Sequence, residues 1–245
     1  MGELGEPPLL DHERHALFLD FDGTLVGFAD DPEGIELEPG TLQRLKALQT
    51  SQGGALALIS GRALASIDRF LAPFTFPAAG VHGQELRFHP GESVEAAPPP
   101  AAIEVARERL GLEIGAHDPL RLEDKGAALV IHYRTAPHEE ERALELAEAA
   151  IAGLDGLRLV KGHAIAEIRP QNVHKGKAIE RLMARSPFAE RAPVFVGDDT
   201  TDEDGFRFVA SRGGFGVKVG EGETAASYRL ADVPAVHRWL QEAAR

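Results

Sequence analysis

The sequence predicts an α/β protein, a doubly wound parallel sheet interrupted by an inserted α+β unit of αββ-αββ order. Three observations carry that prediction. Short apolar blocks, "ALFLD" at 16–20, "ALALIS" at 55–60, "PVFVGDD" at 193–199 and "GFGVKVG" at 214–220, alternate with amphipathic stretches, the order that builds a parallel sheet with helices on both faces. A proline run, Pro98, Pro99 and Pro100, marks a hinge after which the order changes. Two of the apolar blocks end in acids, where a sheet of this kind gathers its ligands.

Each element follows from its local pattern. The strand at 16–20 is succeeded by a helix through Leu42, Leu45 and Leu48, started by Pro39 and Thr41. The strand at 55–60 leads into a helix through Leu64, Ile67 and Leu71 that stops at Pro73. "FPAAGVHGQELRFHP" then reads as a strand continuing into an antiparallel excursion. Between 101 and 170 the pattern is helix, strand, strand, helix, strand, strand, with helices in "AAIEVARERL" and "PHEEERALELAEAAIAG" and strands in "AALVIHYR", "LRLVK" and "AIAEIRP". Two αββ units predict a small sheet with helices on one face. Period-two alternation puts Val130, His132 and Arg134 on one side of a strand and Ile165, Glu167 and Arg169 on one side of another, so the insert carries a polar face. A helix entered at His174 or Lys175 resumes the core, and "PAVHRWLQEAAR" closes the chain. The core is thus expected over 1–100 and 171–245, with the insert over 101–170.

Composition narrows the partners. The 245 residues carry 39 Asp plus Glu against 26 Lys plus Arg, a formal charge of −13, with 43% hydrophobic residues and no cysteine. A strongly acidic surface suits neither nucleic acid nor anionic lipid, both of which need clustered cations. Without cysteine there are no disulfides, thiolate metal sites or thiol nucleophiles. The first fifteen residues lack the apolar segment of a signal peptide, and no stretch has the roughly 20 apolar residues of a membrane span. The expectation is a cytoplasmic monomer acting on a small molecule.

Four constellations carry chemistry. In "LFLDFDGTL", Asp20 and Asp22 stand two apart at the end of a strand, so both carboxylates can face the same way. Their repulsion is relieved by a hard divalent cation, and one carboxylate can attack phosphorus while the other moves protons. Ser60, Gly61 and Arg62 lie where a strand turns towards a helix, a place where a hydroxyl and backbone N–H groups hold phosphoryl oxygens. Lys175, with Gly176 after it, is electrostatically misplaced at a helix start unless it has a negative partner. In "VFVGDDTTDED", Asp198 occupies the same kind of position as Asp20; converging carboxylates of Asp20, Asp22 and Asp198 imply a bound Mg²⁺. Phosphate-loop, dinucleotide, zinc-helix and serine-elbow motifs are all missing from the sequence.

In order, "DFDGTL", "ISGR", "KGKAI" and "GDDTTDED" resemble the four motifs of the haloacid dehalogenase-like phosphatases. Within that family, "AGVHGQELR", "EDKGAALVIHYR", "AEIRP" and "GDDTTDEDGF" are similar to the trehalose-6-phosphate phosphatase branch, over about Leu17 to Gly216. Val81 departs from the acid or small polar residue common at that place. The resemblance implies a Rossmann-like hydrolase core with an inserted cap. It implies Asp20 as nucleophile, Asp22 as general acid and base, and Ser60, Gly61 and Lys175 as phosphate-binding groups. The cation would be held by Asp20, the carbonyl of Asp22 and Asp198, supported by Asp199 and Asp202. Lys125, His132, Arg134 and Glu167 would read the sugar. A phosphomutase shares the first motif, other sugar-phosphate phosphatases share all four, and an inert sensor would lack the nucleophile or the lysine.

Overall fold

The computed structural model describes residues 4–27, 34–35, 37–96, 98–162 and 164–244. Its organising element is β1 (His15–Asp20), whose Ala16 to Asp20 are buried and which is apolar on both faces up to its terminal acid. A strand of that kind is stable only in the middle of a covered parallel sheet. There β1 pairs in parallel with β2 (Leu56–Ile59) on one side. On the other it pairs with a strand from far along the chain, Phe18 standing opposite Phe195. Between β1 and β2 runs α1 (Thr41–Ser51). Next come α2 (Leu64–Leu71), the parallel strand β3 (Ala78–Gly80), and an antiparallel excursion of β4 (Glu85–Arg87) and β5 (Glu95–Ala96).

The insert contains α3 (Ala101–Glu113), β6 (Arg121–Asp124), β7 (Leu129–His132), α4 (Glu140–Ile151), β8 (Leu157–Gly162) and β9 (Ile165–Pro170). Its strands form one antiparallel sheet in the order β6-β7-β9-β8. Leu129 and Ile131 of β7, Ala166 and Ile168 of β9 and Leu157 of β8 share a buried cluster with Ile103, Ala106 and Leu110 of α3 and Ala143, Ala147 and Ala150 of α4. Both helices therefore lie on one face. Arg109 of α3 donates to the Ala150 and Ala152 carbonyls at the end of α4, at 3.0 and 2.9 Å, satisfying groups that a helix terminus leaves open. The opposite face holds Glu123, Val130 and Glu167, which the register places side by side.

After the insert come α5 (Lys175–Met183), β10 (Ala192–Gly197), α6 (Glu203–Ser211), β11 (Phe215–Val219), β12 (Tyr228–Leu230) and α7 (Val233–Ala243). The main sheet runs β12-β11-β10-β1-β2-β3-β4-β5. Alternate residues of β1 feed two cores. Leu17 and Leu19 pack with Leu45 and Leu48 of α1, Ile67 of α2 and Leu240 of α7; Ala16 and Phe18 pack with Ile179 of α5 and Phe206 of α6. By contact density the chain forms two compact units, Met1–Ala96 with His174–Arg245, and Ala97–Val173.

Two details differ from the sequence reading. The strand expected over 127–134 is shortened to β7, because the Ala136 N–H bonds the Tyr133 carbonyl at 3.0 Å and turns the chain there. Arg134 consequently lies in an exposed turn instead of on the strand face. The second is β12, a three-residue strand too short to leave a periodic signal.

Candidate active site

Asp20 ends β1 and Asp198 follows β10, so adjacent parallel strands deliver both acids to the same end of the sheet. Asp202, one turn after Asp198, completes the group: single carboxylate oxygens of Asp20, Asp198 and Asp202 lie within 4.8 Å of one another. Close approach of the first loop to the second is secured by Gly23, at φ +75°, since a Cβ there would fall 2.2 Å from the Asp198 carboxylate. The Thr24 hydroxyl reaches Asp198 Oδ1 at 3.5 Å.

Lys175, the first residue of α5 and buried, offsets part of that negative charge. Its ammonium lies 2.8 Å from Asp20 Oδ1 and 2.6 Å from Asp202 Oδ1. This is the negative partner that its place at a helix start demanded. Burial pulls the ammonium down, but Asp20 and Asp202 outweigh burial and hold it above its ordinary range, so it stays charged. Asp202 is fully buried and uses its second oxygen to accept the N–H groups of Asp198 and Asp199 at 3.0 and 2.8 Å. Both of its oxygens are committed, which makes it a fixed support for the loop.

The acids pay electrostatically for this convergence. Burial raises Asp20 well above the carboxylate range; Lys175 opposes the rise and Asp202 and Asp198 add to it. Burial, then Asp202, pushes Asp198 up to about 6. Lys175 among three carboxylates, even with the buried Lys218 ammonium on the Asp198 carbonyl, leaves excess negative charge in a pocket of hard oxygen donors, and a divalent cation fits that donor set.

Asp22 stands apart from the cluster. Both of its oxygens accept from Arg62, Nε and Nη2 each at 2.7 Å. The guanidinium also lies 5.3 Å from the Phe70 ring and 5.8 Å from Phe21. Ser60 is 1% exposed and its Oγ accepts the Arg62 N–H at 3.1 Å, leaving the hydroxyl proton to donate elsewhere. Since α2 begins only at Leu64, Ser60 does not cap it; Glu85 of β4 does, accepting the Leu64 N–H at 2.7 Å. Gly61 is exposed, with the His82 ring so close that a Cβ at 61 would meet it at 2.9 Å.

Asp20, Lys175, Asp198 and Asp202 are brought together, Ser60 and Asp22 are joined through Arg62, and Asp199 is held to the neighbouring Thr200 and Thr201 hydroxyls. The insert residues sit in their own unit. Lys125 is exposed in the β6–β7 hairpin, His132 Nε2 pairs with Glu123 Oε2 at 2.7 Å, and buried Glu167 lies 3.8 Å from Arg169. Sequence reasoning missed the Arg62–Asp22 pair and the buried Lys218 of β11, whose ammonium donates to the Asp198 carbonyl. A lysine inside the apolar block "GFGVKVG" was a readable signal for the second.

Known proteins share the sequence and the fold of this chain. The family model described as trehalose-phosphatase matches residues 18–234. The trehalose-6-phosphate phosphatase of Escherichia coli K12 is 41% identical over 97% of this chain and 89% of its own length. A probable trehalose-phosphate phosphatase of Sinorhizobium fredii is 37% identical over 92% of this chain and 84% of its own. The Aspergillus fumigatus trehalose-6-phosphate phosphatase structure superposes with a TM-score of 0.71 at 26% identity, covering 97% of this chain and 98% of that one. The C-terminal domain of the Candida albicans enzyme shares the fold at a TM-score of 0.80, 20% identity and the same coverage. With its motifs at the strand ends and the family model spanning both units, the chain belongs to the trehalose-phosphatase family.

Proposed function

We propose that the chain hydrolyses trehalose 6-phosphate to trehalose and inorganic phosphate through an aspartyl-phosphate intermediate. The observation that carries this reading is Asp20, a buried carboxylate at a central strand end, held 2.8 Å from the Lys175 ammonium and grouped with Asp198 and Asp202. In the first half-reaction an Asp20 oxygen attacks phosphorus, the bond to the sugar oxygen breaks, and Asp22, protonated and turned away from the Arg62 guanidinium that holds it in the resting site, supplies the proton that leaves with the sugar. In the second, Asp22 takes a proton from water, the water oxygen attacks phosphorus, and phosphate departs with Asp20 restored. Lys175, the Ser60 hydroxyl and the Gly61 N–H stabilise the phosphoryl oxygens in place before the reaction begins, which is how phosphoryl transfer is accelerated.

Mg²⁺, when bound, supplies charge neutralisation at the phosphoryl group; Asp20, Asp198 and the Asp22 carbonyl would hold it, with Asp202 supporting from behind. This reading predicts a pH dependence. Because Asp198 is pushed up to about 6, a proton competes for its site below that pH and the carboxylate is open to a cation above it. Millimolar Mg²⁺ is therefore expected to raise Tm more at about pH 7.5 than at about pH 5. Differential scanning fluorimetry checks it, and an equal gain at both pH values would count against the cation site.

Sugar recognition is assigned to the insert, through Lys125, His132, Arg134 and Glu167. The assay that tests the whole reading measures phosphate released from trehalose 6-phosphate, sucrose 6-phosphate and glucose 6-phosphate, with and without EDTA. The expected result is selective, EDTA-sensitive release from trehalose 6-phosphate. Equal turnover of glucose 6-phosphate overturns the sugar assignment, and rearrangement without phosphate release overturns the hydrolase.

A further inference from the structure

His237 lies in α7, near the end of the chain, and is 4% exposed. Its two ring nitrogens have different partners. Nδ1 is 2.6 Å from Nη1 of Arg44 in α1, and Nε2 is 3.0 Å from the Leu25 carbonyl. A guanidinium is always a donor, so Nδ1 must accept; the ring proton then resides on Nε2 and is donated to Leu25. The partners thus select one neutral tautomer.

Leu25 belongs to the turn that carries Asp22, Gly23 and Thr24. Its N–H and that of Val26 both bond the Phe21 carbonyl, at 2.9 and 3.0 Å, and the Gly23 N–H bonds the Val26 carbonyl at 2.7 Å. The turn is closed on itself, and the Leu25 carbonyl is the point where α7 holds it. We infer that His237 is a positioning residue for the reaction: its neutral imidazole links the turn bearing Asp22, held through the Leu25 carbonyl, to Arg44 of α1, and its protonation breaks the α1 side of that link while Nε2–H keeps Leu25. A second ring proton would occupy Nδ1, remove the acceptor for Arg44 and set an imidazolium against a guanidinium. Among the described residues the charged groups facing the ring are Arg44 and, 3.6 Å from Nε2, Glu38 just before α1. Burial holds the ring below the ordinary histidine range against the opposing pull of the Leu25 hydrogen bond and Glu38, with Arg44 adding a little to burial, so the neutral form prevails at neutral pH.

The inference rests on the proposed role of Asp22, and its test separates the two. Gln at 237 can donate an amide N–H to Leu25 and accept from Arg44 with no titration, whereas Leu can do neither. H237Q is expected to keep kcat at about pH 7.5 within threefold of wild type, and H237L to lose about tenfold or more in kcat with little change in KM. On acidification from about pH 7.5 to pH 5, wild type should lose kcat more steeply than H237Q. Trp239, the one tryptophan of the chain, sits two residues along α7 with its indole N–H on the Pro8 carbonyl at 3.1 Å, so its fluorescence reports on this helix without any substrate. A pH-dependent fluorescence change in wild type that H237Q lacks supports the tether even if no phosphate ester is turned over. An H237Q protein that retains the wild-type acid limb, or the wild-type fluorescence transition, overturns it, whether or not H237L folds.

Discussion

Asp20→Asn is expected to lower phosphate release by about four orders of magnitude or more while leaving a folded protein. The activity loss follows from the nucleophile: an amide of the same shape cannot form the aspartyl phosphate. The stability outcome has the opposite sign. Burial raises Asp20 well above the carboxylate range, so its ionised form is disfavoured in the fold at neutral pH, and Lys175 retains Asp202 when Asp20 is neutralised. The unliganded variant should therefore melt at or a few degrees above wild type at about pH 7.5. For Asp20 itself the sign is that of a raised carboxylate: the stability it contributes is present in acid and lost as pH rises through its folded pKa. Phosphate release together with thermal melts checks both halves. Residual turnover near the wild-type level would remove Asp20 from the mechanism, and a large drop in Tm would contradict the electrostatic account.

Lys175→Met removes the cation between two buried acids and should strongly destabilise the unliganded fold. Breaking a buried pair by deleting one partner costs about 3–5 kcal/mol, because the remaining charge is left uncompensated. Here two carboxylates, Asp20 at 4% exposure and Asp202 at zero, lose their shared partner. Chemical denaturation should show that loss. Adding D202N should restore a substantial part of it, since the amide oxygen can still accept the Asp198 and Asp199 N–H groups. Activity should fall in both variants, because neither returns a cation to the phosphoryl site. Additive effects in the double variant would mean that the two groups are not coupled.

The core strands were readable because apolar runs that end in acids have few alternatives to a buried parallel strand. Asp20, Lys175 and Asp198 were legible for the same reason: each is a charge where local structure makes a charge expensive. Asp202 was less legible. Acids are common in a first helical turn, and only the fold reveals that both its oxygens are committed and that it is fully buried. Arg62 was noticed as part of "ISGR", but its hold on Asp22 joins loops that are distant in sequence, and no local spacing encodes such a bond. The insert shows the reverse limit. Alternation correctly predicted a polar sheet face, yet Arg134 fell beyond the strand because a turn bond at Tyr133 ended the period early.

The pairing of β1 with β10 also governs when the active site can come into being. His15 is opposite Ala192 in that ladder, so the strand carrying Asp20 leaves the ribosome long before the one that leads to Asp198. Closing so long a loop is entropically costly and kinetically slow, and no carboxylate cluster exists until it is done. The unit at 97–173, by contrast, is continuous in sequence and has its own core, so it has what it needs to fold first and to shorten the effective distance between the two halves of the main sheet. An insert that is continuous in sequence and has its own core allows the nascent chain an order of assembly in which the buried acids converge last.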